Sequence, residues 1–299
     1  MTTTPTTFPE VLDSSMLSSF TNCPQLFFRA HIQHWKLQGE SIHLHAGSAY
    51  AKGLEAARRS FMAGDLPSIA EGKGLGELIH AYGDFEAGQE AKSLPRMCGA
   101  LEFYFSQYPL QTDIAKIATV GGLPAVEWSF AIPLPIKHPE TGNPLLFCGR
   151  TDALVQMAGG LYALDDKTTS QLGASWSRQW DLRGQFIGYA WAMRTLGLQP
   201  AGTIVRGVSI LKTKYDTLQA IIAQPDWKID RWYEQLEGKI SQMLECYRTG
   251  NWRYVMDEAC NHYGQCPMRQ VCLSNDPEPW LRTYYEKSTW NPLTREEKK

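Results

Sequence analysis

Two aspartates and a lysine carry the most specific chemical signal in this chain. Asp152 ends the run Gly149-Arg150-Thr151-Asp152, and Asp165 and Lys167 lie in Leu164-Asp165-Asp166-Lys167-Thr168-Thr169. Between them, Ala158-Gly159-Gly160 is a turn signal flanked by runs suited to strands, 145–157 and 161–165. A hairpin symmetric about that turn opposes residues whose numbers sum to 317, as 152 and 165 do. Like charges opposed at roughly 4.5–5.5 Å across a hairpin repel. A bound Mg²⁺ or Mn²⁺ would offset that repulsion, because two carboxylates with water can hold such a hard cation. Strand alternation puts Lys167 on the face of Asp165 and turns the Asp166 side chain away. An ammonium there could position a metal-bound water and stabilise charge developing on a phosphorane-like transition state. The same triplet also occurs on ordinary surface hairpins with solvated acids.

The rest of the chain must fold around that hairpin. With 299 residues and 43% hydrophobic content it can bury a substantial core in one large or two ordinary domains. No run approaches the roughly 18 apolar residues of a membrane helix, and the N-terminus lacks the basic and apolar regions of a signal peptide, so a cytoplasmic protein is expected. The net charge of −2 hides a local excess: residues 167–214 hold seven basic side chains, Arg178 and Arg183 among them, against Asp181 alone. A basic segment beside an acidic centre suits a phosphate backbone, although arginines on helix faces are often only solvated. Seven cysteines are an odd count for a disulfide scaffold. Cys98, Cys148 and Cys246 read as packing residues, whereas Cys260, Cys266 and Cys272 form an evenly spaced C-x5-C-x5-C cluster that needs a fourth partner.

Residues 1–13 read as a flexible lead, followed by a helix capped at Ser14-Ser15 with Cys23-Pro24 in its path. Helices are expected over 47–62, 97–108, 175–196 and 227–247, and a short one over 75–82 in an otherwise broken stretch. Strands are expected around 126–130, with Glu127 opposite the aromatics, and over 202–211 and 217–223. Gln185 and Tyr189, four apart, share one helix face.

The series Gly149-x-x-Asp152, Asp165-x-Lys167-Thr168 and Gln185-x-x-x-Tyr189 resembles the PD-(D/E)XK nucleases, specifically the RecB-type branch that includes phage exonucleases and the iron-sulfur nucleases of CRISPR spacer acquisition. The segment Ser18 to Phe28, a serine-rich helix start followed by Cys23-Pro24, resembles the N-terminal part of the iron-sulfur members. The resemblance implies an α/β, restriction-endonuclease-like core, a mixed sheet flanked by helices, with a helical N-terminal part and a C-terminal four-cysteine clasp. The implied division is 1–110, helical and contributing Cys23; 111–225, the nuclease core; and 226–299, the last helix and the clasp.

It further implies a Mg²⁺- or Mn²⁺-dependent DNA exonuclease. Asp152, Asp165, Lys167 and Gln185 would be catalytic, with metal held by Asp152, Asp165 and the Asp166 carbonyl. Tyr189, Arg178 and Arg183 would meet DNA, as single strands or duplex ends. Glu127 is a further metal candidate, as is Glu55, which with Gly47 matches the family's G-x-x-x-H-x-x-x-E helix. The chain departs from that helix at its histidine, here Ala51, leaving that ligand place to water, Glu55, His43 or His45. Cys23, Cys260, Cys266 and Cys272 would hold a [4Fe-4S] cluster, with zinc the alternative and His262 a rival ligand. Ala51 also supports the other function considered, a weak or inactive DNA-binding subunit of a recombination or CRISPR-adaptation complex. A homo-oligomer or a partner protein fits either reading.

Overall fold

The computed structural model of the chain describes residues 7–39, 41–86, 90–261, 265–294 and 296–298. In chain order its main elements are β1 (Val11–Leu12), α1 (Ser14–Asn22), α2 (Ile42–Met62), α3 (Pro67–Tyr82), α4 (Leu94–Gln107), β2 (Val126–Lys137), β3 (Pro144–Met157), β4 (Gly160–Thr169), α5 (Ala174–Arg178), α6 (Gly184–Thr195), β5 (Pro200–Ile210), β6 (Tyr215–Ala223) and α7 (Asp226–Thr249). They fall into two units: one of residues 1–39, 130–149 and 231–299, the other of residues 40–129 and 150–230.

The second unit holds the hairpin. Strands β3 and β4 pair antiparallel through Ala153↔Leu164 to Met157↔Gly160, so every pair sums to 317. The connection is Ala158-Gly159, both at positive φ (49° and 80°), as a two-residue turn matched to strand twist requires. Strand β4 then runs parallel to β5, and β5 antiparallel to β6, giving a mixed sheet. Strand β4 extends four residues beyond the expected end at Asp165, because each of those residues finds a partner on β5, up to Thr169↔Ser209.

Helices cover both faces of this sheet. Val208 and Ile210 of β5 pack into a core with Ala46, Tyr50, Leu54 and Ala57 of α2 and Met97, Leu101 and Tyr104 of α4. These positions on α2 repeat every three or four residues, one buried stripe of a 3.6-residue helix. Gly207 points to the opposite face, where a Cβ would run into the Trp176 ring of α5. Alternation along paired strands therefore puts Asp166, beside Arg206, under α2 and α4, and puts Asp165 and Lys167 on the α5 side.

Two helix expectations change. Residues 67–82 form one continuous α3, which begins eight residues before the short helix expected over 75–82 in a stretch of scattered Gly and Pro. Gly74 is there for proximity: a Cβ on it would stand 2.7 Å from the Gly53 carbonyl oxygen and 2.8 Å from the Ala57 Cβ. The helix expected over 175–196 is two, α5 and α6, separated by a turn in which Arg183 N–H bonds the Trp180 carbonyl. Trp176 and Trp180, four residues apart, meet edge to face at 5.4 Å.

In the first unit, residues 7–13 are no loose lead. Phe8 and Leu12 are buried, and β1 pairs parallel with Leu146 and Phe147. The cap of α1 is Asp13, which accepts from Met16 N–H at 2.8 Å, one residue before the expected serines. Helix α1 stops at Asn22 because Cys23 is extended (φ −166°) ahead of Pro24.

Candidate active site

Beyond Ala153 and Leu164 the ladder opens, and Asp152 fills the gap. Its Oδ2 accepts from the Asp166 backbone N–H at 2.7 Å. Across from it, Asp165 is 2% exposed and ion-paired with the Lys167 ammonium. Burial, then the Asp165 and Asp166 carboxylates, push the Asp152 carboxyl up to about 8, with Lys167 opposing and Glu127 adding to the rise. For Lys167, burial acts to lower the ammonium, but Asp165 and Asp152 raise it above its ordinary value. Lys167 is therefore a cation at neutral pH and no general base.

Glu127 stands close enough to act on Asp152 electrostatically, and pairs with Arg150 Nε at 2.6 Å with its side chain 8% exposed. It is held at φ +54°, a left-handed conformation uncommon for a residue with a side chain. Such strain persists only where the surroundings over-determine it. Glu55 is turned to Arg59, one helical turn on, at 2.7 Å, and Arg59 also reaches the Val126 carbonyl at 3.2 Å. His45 bonds the Tyr82 carbonyl at 2.9 Å and stacks on Phe85, and His43 is exposed at the start of α2.

Gln185 and Tyr189 do share a face of α6, and they bond each other. Gln185 Nε2 donates to the Tyr189 hydroxyl, which donates to the Arg150 carbonyl, both at 2.7 Å. Tyr189 was expected at the DNA, but it is 3% exposed, so its ring has no open face for a base. Its bond instead ties α6 to β3 two residues before Asp152. Arg178 and Arg183 are exposed. The basic run is thinner than its count: Arg206 is buried on Asp113 (2.6 Å), and Arg194 is engaged by Asp226 and Asp230.

Sequence reasoning missed a buried network on the other face of β4. Arg58 of α2 donates to Asp166 Oδ2 at 2.7 Å and to the Tyr104 hydroxyl at 2.8 Å. Tyr104 accepts also from Arg206 (3.1 Å), which grips Asp113 with two bonds of 2.6 and 2.8 Å. The one available signal was the arginine pair Arg58-Arg59 on a helix whose other stripe is apolar.

Cys23, Cys260, Cys266 and Cys272 line one cavity of about 980 Å³ in the first unit. Burial raises the Cys266 and Cys272 thiols, and neighbouring cysteines of the four add to it. The Cys23 and Cys260 thiols face backbone carbonyls of Arg253 and Val255, at 3.9 and 3.4 Å. Among the described residues no three His, Cys, Asp or Glu side chains stand close enough together to hold a metal ion, here or at Asp152. His262 lies outside the described residues. No described helix is long and apolar enough to cross a membrane.

Comparison with known proteins bears on this arrangement. The family model described as the PD-(D/E)XK nuclease superfamily matches residues 14–273. The crystal structure of a protein named "Putative exonuclease", from Eubacterium rectale, is similar in fold: TM-score 0.51, 13% identity, 89% of this chain and 93% of that one covered. A second crystal structure, of SSO0001, matches with TM-score 0.32 and 13% identity over 75% of this chain and 84% of that one. No curated protein matched.

Proposed function

The chain belongs to the PD-(D/E)XK nuclease superfamily, and we propose that within it this protein is a Mg²⁺- or Mn²⁺-dependent DNA exonuclease. The observation that carries the reading is the buried surplus of negative charge at the open end of the hairpin, where the Asp165 carboxylate acts on Asp152 and pairs with Lys167. Asp152, Asp165 and the Asp166 carbonyl are hard oxygen donors and would hold the ion together with waters. Asp165 Oδ1 is held by the Lys167 ammonium, so an incoming cation would share that oxygen with the lysine. When bound, the ion supplies Lewis acidity at the phosphodiester and lowers the pKa of a water.

The chain's own residues do the rest. Lys167, charged throughout, orients the attacking water and stabilises the negative charge that builds on phosphorus-bound oxygens. Tyr189, oriented by the Gln185 amide, positions β3 by donating to the Arg150 carbonyl, which fixes where Asp152 enters the site. Arg178 and Arg183, exposed, would contact the phosphate backbone of single strands or duplex ends. Glu127 and Glu55, each committed to an arginine, would enter the metal shell only after releasing it. Purified protein should degrade end-labelled DNA only with added Mg²⁺ or Mn²⁺, and Lys167→Ala should lose about 10²–10³-fold of that rate. Equal rates for wild type and Lys167→Ala would remove the assignment.

Ala51 favours a second reading, a DNA-binding subunit of a recombination or CRISPR-adaptation complex with weak or no cleavage. It predicts retention of DNA with no metal-dependent degradation under the same assay.

The cysteine cavity supports a structural [4Fe-4S] cluster as a further proposal. Four thiols on one cavity are the donor set for such a cluster or for zinc. The side chains would have to close inward to ligate it. Anaerobically purified protein should be brown and contain iron; zinc in place of iron would decide for the alternative.

A further inference from the structure

We propose that the buried Arg58–Asp166 ion pair is a positioning device for the hairpin's carboxylates, gripping β4 from behind so that the backbone of residue 166 presents its N–H to Asp152. Asp166 has two jobs on two faces. Its N–H donates to Asp152 Oδ2 at 2.7 Å, and its side chain, 3% exposed, takes Arg58 from α2 at 2.7 Å. Asp166 Oδ1 is buried and makes no hydrogen bond, so Arg58 is the hydrogen-bonding partner that neutralises this carboxylate. Arg58 is itself held: its side chain is 4% exposed, and the Tyr104 hydroxyl that it bonds also accepts from Arg206.

The geometry makes the pair more than packing. The β3–β4 ladder ends at Ala153↔Leu164, so neither neighbour of Asp152 on β4 is fixed by β3 backbone pairing. Pairing with β5 fixes one edge of residue 166. The Arg58 bond fixes its rotation about the strand, which decides whether its N–H meets Asp152 and where its carbonyl points. Partners one shell behind ligands commonly govern ligand geometry in this way. Arg58 lies seven residues after Ala51 on the same face of α2, so the helix that lacks a donor at 51 still reaches the centre, through the strand.

The test uses the full chain with Arg58→Met, Arg58→Lys and the double variant Arg58→Met/Asp166→Leu, which removes both charges and keeps an apolar fill. The first readout, hydrogen–deuterium exchange of the Asp166 amide in EDTA, does not depend on the metal-nuclease reading on which the rest of the proposal stands. The second is Mn²⁺ affinity by electron paramagnetic resonance. Arg58→Met and the double variant should exchange that amide about tenfold faster and bind Mn²⁺ about 10–100-fold more weakly. Arg58→Lys should lie between them and wild type. If Arg58→Met does not fold, the double variant decides. A folded variant lacking Arg58 with wild-type amide exchange overturns the proposal. Wild-type protein that fails to bind Mn²⁺ breaks the metal reading instead, and amide exchange still decides on the pair.

Discussion

The two faces of strand β4 treat buried charge in opposite ways. Under α2 and α4, Asp166 and Asp113 are met by Arg58 and Arg206, two acids for two bases, with Tyr104 bridging the guanidinium groups. Around Asp152, three carboxylates (Asp152, Asp165 and Glu127) face two cations, Lys167 and Arg150. The balanced face has its charges met as it stands and needs no ligand, so it acts on the other face only by positioning. The unbalanced one must take up a proton or a cation, and the raised Asp152 carboxyl is the proton solution. That contrast within one strand's thickness is what the proposed metal site rests on.

Breaking the balanced face should cost most. Arg206→Leu alone strands the Asp113 carboxylate and should destabilise by about 3–5 kcal/mol, while Arg206→Leu/Asp113→Leu should be near neutral, both read by urea unfolding. A single variant within about 1 kcal/mol of wild type would mean that Asp113 finds another partner or solvent, and the contrast between faces would shrink.

A pH series sharpens the other half. Asp152 in the fold keeps its proton to about 8, against an ordinary 3.8. The folded state thus binds one more proton between those values, so this group's stabilising contribution is whole below about pH 4 and is lost as pH rises through about 8. In EDTA, the thermal midpoint of wild type should fall with rising pH more steeply than that of Asp152→Asn, and Mn²⁺ should restore it. Parallel slopes for the two proteins would deny the surplus.

The smallest effect lies at Lys92. It is 7% exposed, burial lowers its ammonium below the ordinary value, and its hydrogen bond is to the Thr168 hydroxyl at 3.3 Å. Lys92→Met should stabilise the protein by about 1 kcal/mol in thermal melts, without loss of DNA degradation. Loss of degradation with gained stability would move Lys92 from the fold to the substrate.

Much of the centre was legible because a hairpin is local. Alternation and a turn signal are written in adjacent residues, so the register of the hairpin, in which paired residue numbers sum to 317, could be read before any coordinates, although the ladder itself stops at Ala153↔Leu164. Gln185 and Tyr189 were legible as neighbours for the same reason, four residues on one helix. Their partner was not: the Arg150 carbonyl is 39 residues from Tyr189 and carries no side-chain signal. The first half of α3 read as broken because nothing local says that Gly53 and Ala57 will press against Gly74. The basic run after Lys167 read as a wall, because sequence counts charges and does not show that Arg194 and Arg206 are spent on acids elsewhere.

By itself, then, the sequence determined which residues could meet across one turn of chain, and with them the acids and the lysine proposed for the centre. Tertiary structure alone decided what stands behind them. Arg58 reaches Asp166 across 108 residues, and only the packing of α2 onto β4 puts a guanidinium where a solvated arginine would otherwise be. Local patterns follow from backbone period, whereas a long-range ion pair follows from which faces are buried together, a property no single stretch contains.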